Sequence, residues 1–239
     1  MTMRQHRSRT SLIRPWHWLI AILSGLFLAL IYPQTQWDQI LIAPYFDPLQ
    51  QRFFLKDQVF LSQFMHQGLK DLMILPALLL LAAWAASWKY PKLQAHRRRI
   101  GWILCGMGLA ALSISILKSF SNHACPWDLS LYGGYAAKIP LWGALPIGAK
   151  PGQCMPGGHA SGGYALLAFY FGLLDLNRRR AYVGLAAGLI FGTAMGWAQM
   201  MRGAHFLSHN LWTLWTIWVV LLLWYCVWPP VRKMELTHV

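Results

Sequence analysis

Cys154–Leu176 reads CMPGGHASGGYALLAFYFGLLDL. Pro156, Gly157, Gly158 and His159 stand directly before an apolar run with the length and composition of a membrane-crossing helix. The run is closed by Asn177-Arg178-Arg179-Arg180. Apolar residues followed by a basic stop are what a helix leaving a bilayer toward the cytoplasm shows. At the other end, Gly-Gly-His at a helix start presents bare backbone N–H groups and the positive end of the helix dipole. That combination suits a phosphate, and His159 at its lip can donate a proton.

The rest of the chain repeats the pattern. Apolar residues make up 56% of the 239, charged residues only 12%, and there are 14 Trp. A soluble domain of this length is rarely so apolar, so a multi-span helical membrane protein is the expectation. Six spans follow, at 16–32, 69–88, 100–117, 159–176, 181–201 and 210–228, with Pro76 inside the second. Residues 33–68 mix apolar groups with Asp38, Asp47, Arg52, Lys56 and Asp57, which predicts short interfacial helices between spans one and two. The fold class is therefore all-α, a six-span bundle forming one membrane domain over 16–228. A basic N-terminus (1–15) and a short tail (229–239) flank it. No cleavable leader is expected, because the first apolar run lacks a small-residue cleavage site and ends at Tyr32-Pro33.

Charge placement sets the orientation. Of the 21 Lys and Arg, 14 fall on the side that holds both termini, the 89–99 loop and Arg178–Arg180. Seven fall on the other side, with five of the seven acids. Both termini are thus expected in the cytoplasm. The net charge of +14 is accounted for by an inner-leaflet surface, without a nucleic-acid partner.

With that topology three polar clusters reach the same outer face. Lys118 ends span three, His159 opens span four, and Gln199, Arg202 and His205 close span five. Lys and Arg can hold phosphate oxygens, one imidazole can attack phosphorus, and another can protonate a leaving oxygen. Positive charge, a nucleophile and an acid make up the set that phosphoryl transfer needs. Loop histidines His66 and His123 are read as surface groups. His205 and His209, at i and i+4, lack a neighbouring carboxylate or Cys cluster in sequence, so no metal is expected there. Gly184, Gly188, Gly192 and Gly196 are expected to let helices approach closely, and the Trp-rich helix ends to serve interfacial belts and packing.

The ordered set of motifs resembles the type-2 phosphatidic acid phosphatase superfamily, with its K-x6-R-P, P-S-G-H and S-R-x5-H-x3-D signatures. Here they read Lys118-SFSNHA-Cys125-Pro126, Pro156-Gly157-Gly158-His159 and Ala198-Gln199-MMRGA-His205-FLS-His209. The resemblance covers roughly residues 100–228. It implies that His205 is the nucleophile and forms a phosphohistidine, that His159 is the general acid, and that Lys118 and the Gly157–Gly158 backbone bind phosphate. It implies no cofactor and no metal. The chain departs from the family at Cys125, Gly157, Ala198, Gln199 and His209. Arg202 is expected to replace the lost arginine beside Gln199, and Asp128 to orient His205 or His209.

The expected substrate is a lipid phosphate, approached from the membrane at the periplasmic face of a bacterial inner membrane. Hydrolysis and transfer to another acceptor share one phosphoenzyme and stay open, as does the oligomeric state. A non-catalytic lipid binder and a histidine-ligated redox protein are the rivals. Cys125 and Cys154 both lie in the extracytoplasmic loop, where an oxidising compartment predicts a disulfide contributing about 3–4 kcal/mol by loop closure. Cys105 and Cys226 fall within spans and are expected to pack inertly.

Overall fold

The computed structural model describes residues 13–231. The N-terminal arm up to residue 12, the tail from 232, and the side chain of His66 lie outside the described residues. The chain is mostly helical. Helix α1 (Pro15–Leu26) continues through a wide turn to Gln34; α2 (Trp37–Ile42) is short; α3 (Leu69–Ala86) follows a wide-turned stretch from Phe60; and α4 (Pro91–Gln94) is a single turn. Then come α5 (Arg97–Ser119), α6 (Gly158–Tyr164), α7 (Leu167–Leu173), α8 (Arg178–Met201) and α9 (Leu207–Val227).

Among the described residues, four helical segments are long and apolar enough to cross a membrane: Pro15–Gln34, Arg97–Ser119, Arg178–Met201 and Leu207–Val227. The other two expected spans are shorter. The apolar part of α3 is Asp71–Ala86. The expected span at 159–176 is divided into α6 and α7 at Ala165–Leu166. Between α1 and α3 the chain makes the short helix expected there, and also a two-residue hairpin, Phe46–Asp47 against Arg52–Phe53.

The fourth segment divides where its backbone tightens to three-residue hydrogen bonds, Leu166 N–H to the Gly163 carbonyl and Phe169 N–H to the Leu166 carbonyl. α6 and α7 lie along α8, with α5 and α9 behind them. The approach of α6 to α8 is so close that a Cβ at Gly192 would stand 2.1 Å from the Tyr164 ring, and one at Gly163 would stand 2.3 Å from the Gly192 nitrogen. Only glycine fits on either side, in keeping with the expected small-residue stripe. Trp102, Tyr164, Leu167, Tyr170, Phe171, Ile217 and Leu221 fill the core where these helices meet.

Two tryptophans tie α9 to α1, Trp215 donating to the Ala21 carbonyl and Trp218 to that of His17. These two are packing residues with polar anchors. Cys105 and Cys226 face outward on α5 and α9 rather than packing inside, because helical spacing turns Gly106 and Met107, and Leu222 and Tyr225, to the inner faces instead.

The bundle has two distinct ends. At one, Arg98 donates to the Pro229 carbonyl and Arg99 pairs with Asp175, drawing together α5, the end of α7 and the end of α9. At the other, a small second core of Ile42, Phe53, Leu129, Tyr132, Met200 and Phe206 packs the 43–58 and 120–157 loops over the ends of α8 and α9. The candidate site lies beneath that cap.

Candidate active site

Helix α6 starts at Gly158, with Gly157 as its cap, because the chain arrives extended from a loop held on three sides. Backbone hydrogen bonds join 152–154 to 121–123, Cys125 and Cys154 form a disulfide, and the Trp127 N–H donates to the Gly203 carbonyl. The loop after Lys118, the start of α6 and the turn between α8 and α9 are thereby locked together. These are the segments that carry the three sequence motifs.

Gly157 is clamped against α9. Its N–H donates to the His209 carbonyl at 3.0 Å, and its own carbonyl accepts from the Thr213 hydroxyl. The expectation that this N–H binds phosphate is therefore corrected, because it is already committed to the protein. A Cβ here would lie 2.7 Å from Asn210 Oδ1, so the serine of the family pattern does not fit unless Asn210 moves. At Gly158 the added Cβ would meet Lys118 instead, 3.7 Å from Nζ. The Lys118 ammonium thus reaches the start of α6 from the last turn of α5.

His159 and His205 face one another with ring centroids 6.0 Å apart. His205 is 2% exposed and His209 3%. Nδ1 of His205 lies 3.3 Å from Nδ1 of His209, a hydrogen bond in which one ring must donate and the other accept. Burial, reinforced by His209, His159 and Lys118, pushes His205 well below the ordinary histidine value. It is neutral at neutral pH, the form in which an imidazole is a nucleophile.

The structure brings Lys118, Gly157, Gly158, His159, His205 and His209 into one cluster. Arg202 and Gln199 stand at its edge. The Arg202 guanidinium donates to the Lys56 carbonyl at 2.9 Å and to Gln199 Oε1 at 3.3 Å, and lies 6.0 Å from the Trp127 ring. Gln199 is 1% exposed, and its Nε2 makes no hydrogen bond among the described residues.

Asp128 is not joined to either histidine. Its carboxylate accepts from the Trp127 indole at 3.0 Å, because the helical turn at Pro126–Asp128 folds the two side chains together. The expectation that Asp128 orients His205 or His209 is corrected on that ground.

Sequence reasoning passed over Asp38. Its carboxylate accepts from the Ser208 N–H and hydroxyl and from the Tyr32 hydroxyl, which fixes the start of α9 one residue before His209. A cavity of about 160 Å³ beside it is bounded by His123, Lys138 and His209. His123 contacts the Leu141 carbonyl there, and burial lowers its pKa. Asp38 lies in α2, far from the motifs in sequence, and no motif or spacing pointed to its role.

No curated protein and no solved structure matches the chain. The sequence profile of the PAP2 superfamily matches residues 99–233, more than half of the chain and all of the motif-bearing segments. On that match, with the ordered motifs gathered at one end of the bundle, the chain belongs to the type-2 phosphatidic acid phosphatase superfamily.

Proposed function

We propose that the protein is an integral-membrane lipid phosphatase that works through a phosphohistidine on His205. The observation that carries this reading is the facing pair, His159 and His205, with ring centroids 6.0 Å apart and Lys118 beside the same helix start. A phosphoryl group between the rings has a nucleophile on one side and an acid on the other, the in-line arrangement that transfer requires.

In the first step His205 Nε2 attacks phosphorus and the bond to the leaving oxygen breaks. His159 gives that oxygen a proton. In the second step water attacks the phosphohistidine, His159 takes the water's proton, and phosphate leaves as the N–P bond breaks. His209 accepts the His205 Nδ1 proton as a hydrogen bond, so that the lone pair stands on Nε2. It fills the orienting place that the family gives to a carboxylate. Lys118 and the start of α6 balance the charge on the phosphate oxygens. Arg202 and Gln199 add positive charge and a donor at the rim.

The surroundings support a lipid substrate. An apolar groove of about 830 Å³ runs between Leu61 and Met65 on one side and Leu189 and Trp197 on α8. It reaches Ala198 and Met201, the neighbours of Gln199 and Arg202. A lipid tail can lie there while its phosphate enters the polar end. The full reading has six membrane passages, with α3 and the α6–α7 pair as the two shorter ones. Both termini are cytoplasmic and the site is periplasmic in a bacterial inner membrane.

Phosphate release from a panel of lipid phosphates and pyrophosphates, with and without EDTA, tests the reading. Turnover that survives EDTA and vanishes in His205→Ala is the expected result. No release from any lipid phosphate, by protein that keeps its helical signal, would remove it.

A further inference from the structure

The Cys125–Cys154 disulfide touches the candidate nucleophile. Cys154 is fully buried, and its Sγ lies 3.4 Å from His205 Nδ1. Both sulfurs and a ring nitrogen of His205 fall within 4.8 Å of one another. His209 Nδ1, 3.3 Å from His205 Nδ1, stands beside them as a further donor. A bridge that only tied down a loop would need no contact with this imidazole.

The separation of Cys154 Sγ from His205 Nδ1 is compatible with two ligands of one metal ion. With Zn–N near 2.1 Å and Zn–S near 2.3 Å, adjacent ligand atoms of a tetrahedral site are separated by roughly 3.3–3.8 Å. The S···N distance of 3.4 Å falls in that range, and the two sulfurs come to it once the bond between them is broken. While the sulfurs share a bond, neither offers the thiolate that a metal needs. We propose that the disulfide masks a zinc-type site formed by Cys125, Cys154 and His205, which opens on reduction and withdraws the nucleophile.

The chemistry balances with a dithiol as reductant. Its two sulfurs become a disulfide and supply two electrons. The Cys125–Cys154 bond breaks, and the two protons that leave the reductant are matched by two gained at the protein thiols. A divalent ion then displaces both thiol protons into solvent and takes the lone pair of His205 Nδ1. A neutral imidazole has one such in-plane pair, so the remaining proton must sit on Nε2. Nε2 then has no pair with which to attack phosphorus. This last consequence rests on His205 being the nucleophile; the metal site does not.

Cobalt(II) titration of the full chain in detergent tests the site without reference to turnover. The starting protein is Cys105→Ser/Cys226→Ser, since those are the free thiols. It is compared oxidised, and after reduction followed by anaerobic removal of the reductant. The expected result is one cobalt per reduced chain, with sulfur-to-cobalt charge transfer and intense tetrahedral bands, both displaced by zinc. The oxidised protein and a Cys125→Ser/Cys154→Ser variant should lack them, and His205→Ala should weaken binding at least tenfold.

Equal binding by oxidised protein, or no thiolate band in reduced protein of intact helicity, overturns the proposal. So does a loss of helicity on reduction that metal fails to restore. If cobalt binds but no lipid phosphate is hydrolysed by the oxidised chain, the metal site stands and the phosphatase reading falls. Hydrolysis without cobalt binding gives the reverse.

Discussion

The Nδ1 atoms of His205 and His209 face one another at 3.3 Å, both on rings that are almost wholly buried. Two neutral imidazoles can share one proton across that gap only if one ring carries it on Nδ1 and the other on Nε2. The pair therefore fixes tautomers as well as orientation.

Replacing His209 should cost chemistry more than binding. His209→Ala removes the acceptor for the His205 Nδ1 proton, so kcat should fall about 10²-fold or more while KM changes little. His209→Asp supplies a carboxylate acceptor at the same place and should retain more activity than the alanine variant. Equal loss in the two variants would mean that His209 acts only in packing. Steady-state kinetics on a lipid phosphate separates these outcomes.

The depressed pKa of His205 has two pH consequences. Because burial and neighbouring positive groups favour its neutral form, the acid limb of kcat/KM should lie below 6.5 rather than at the ordinary histidine value. Stability should run the same way. Below about pH 6.5 an unfolded chain takes up a proton at this position that the folded chain resists, so stability falls as the pH drops toward the lowered folded value. Thermal melts from pH 8 to 5 should show the midpoint falling on the acid side, with a shallower fall in His205→Asn.

Restoring the family's serine should harm this chain. In Gly157→Ser the new Cβ meets Asn210 Oδ1 at 2.7 Å, which by overpacking should destabilise by about 1–3 kcal/mol. Gly157→Ser/Asn210→Ala removes the obstructing amide and should recover most of the loss. Melting in detergent of the single and double variants measures the coupling between the two positions.

The α6–α8 contact makes a parallel prediction away from the chemistry. Gly192→Ala drives a methyl into the Tyr164 ring and should lower stability by about 1–3 kcal/mol. Since Tyr164 lies on the same helix as His159, activity at a permissive temperature should drop as well. Comparing the thermal midpoint with turnover at low temperature checks both effects.

Lys118 and Arg202 should behave differently. Lys118 reaches the start of α6, so Lys118→Ala should lower kcat/KM strongly with little change in melting. Arg202 also holds the Lys56 carbonyl and Gln199, so Arg202→Ala should lower activity and in addition loosen the 52–57 loop. Limited proteolysis of that loop, alongside kinetics, distinguishes a purely electrostatic role from one shared with loop anchoring.

Much of this protein was legible in one dimension. Long apolar runs have few ways to satisfy their backbone groups in a bilayer, so the helical class could be read from local composition, and the family from the ordered motifs. The spacing of Lys118, His159 and His205 relative to helix ends needs only a helical rise per residue. Other features depended on contacts between distant segments. Gly157 lost its N–H to the His209 carbonyl because α9 packs against the helix start, and Asp128 turned to Trp127 because a short turn folds it there. Asp38 reached Ser208, and the disulfide sulfur reached His205, only through the way the loops cap the bundle. Hydrogen bonds and close packing are set by tenths of an ångström between residues far apart in the chain, a distance that hydropathy and motif spacing do not encode.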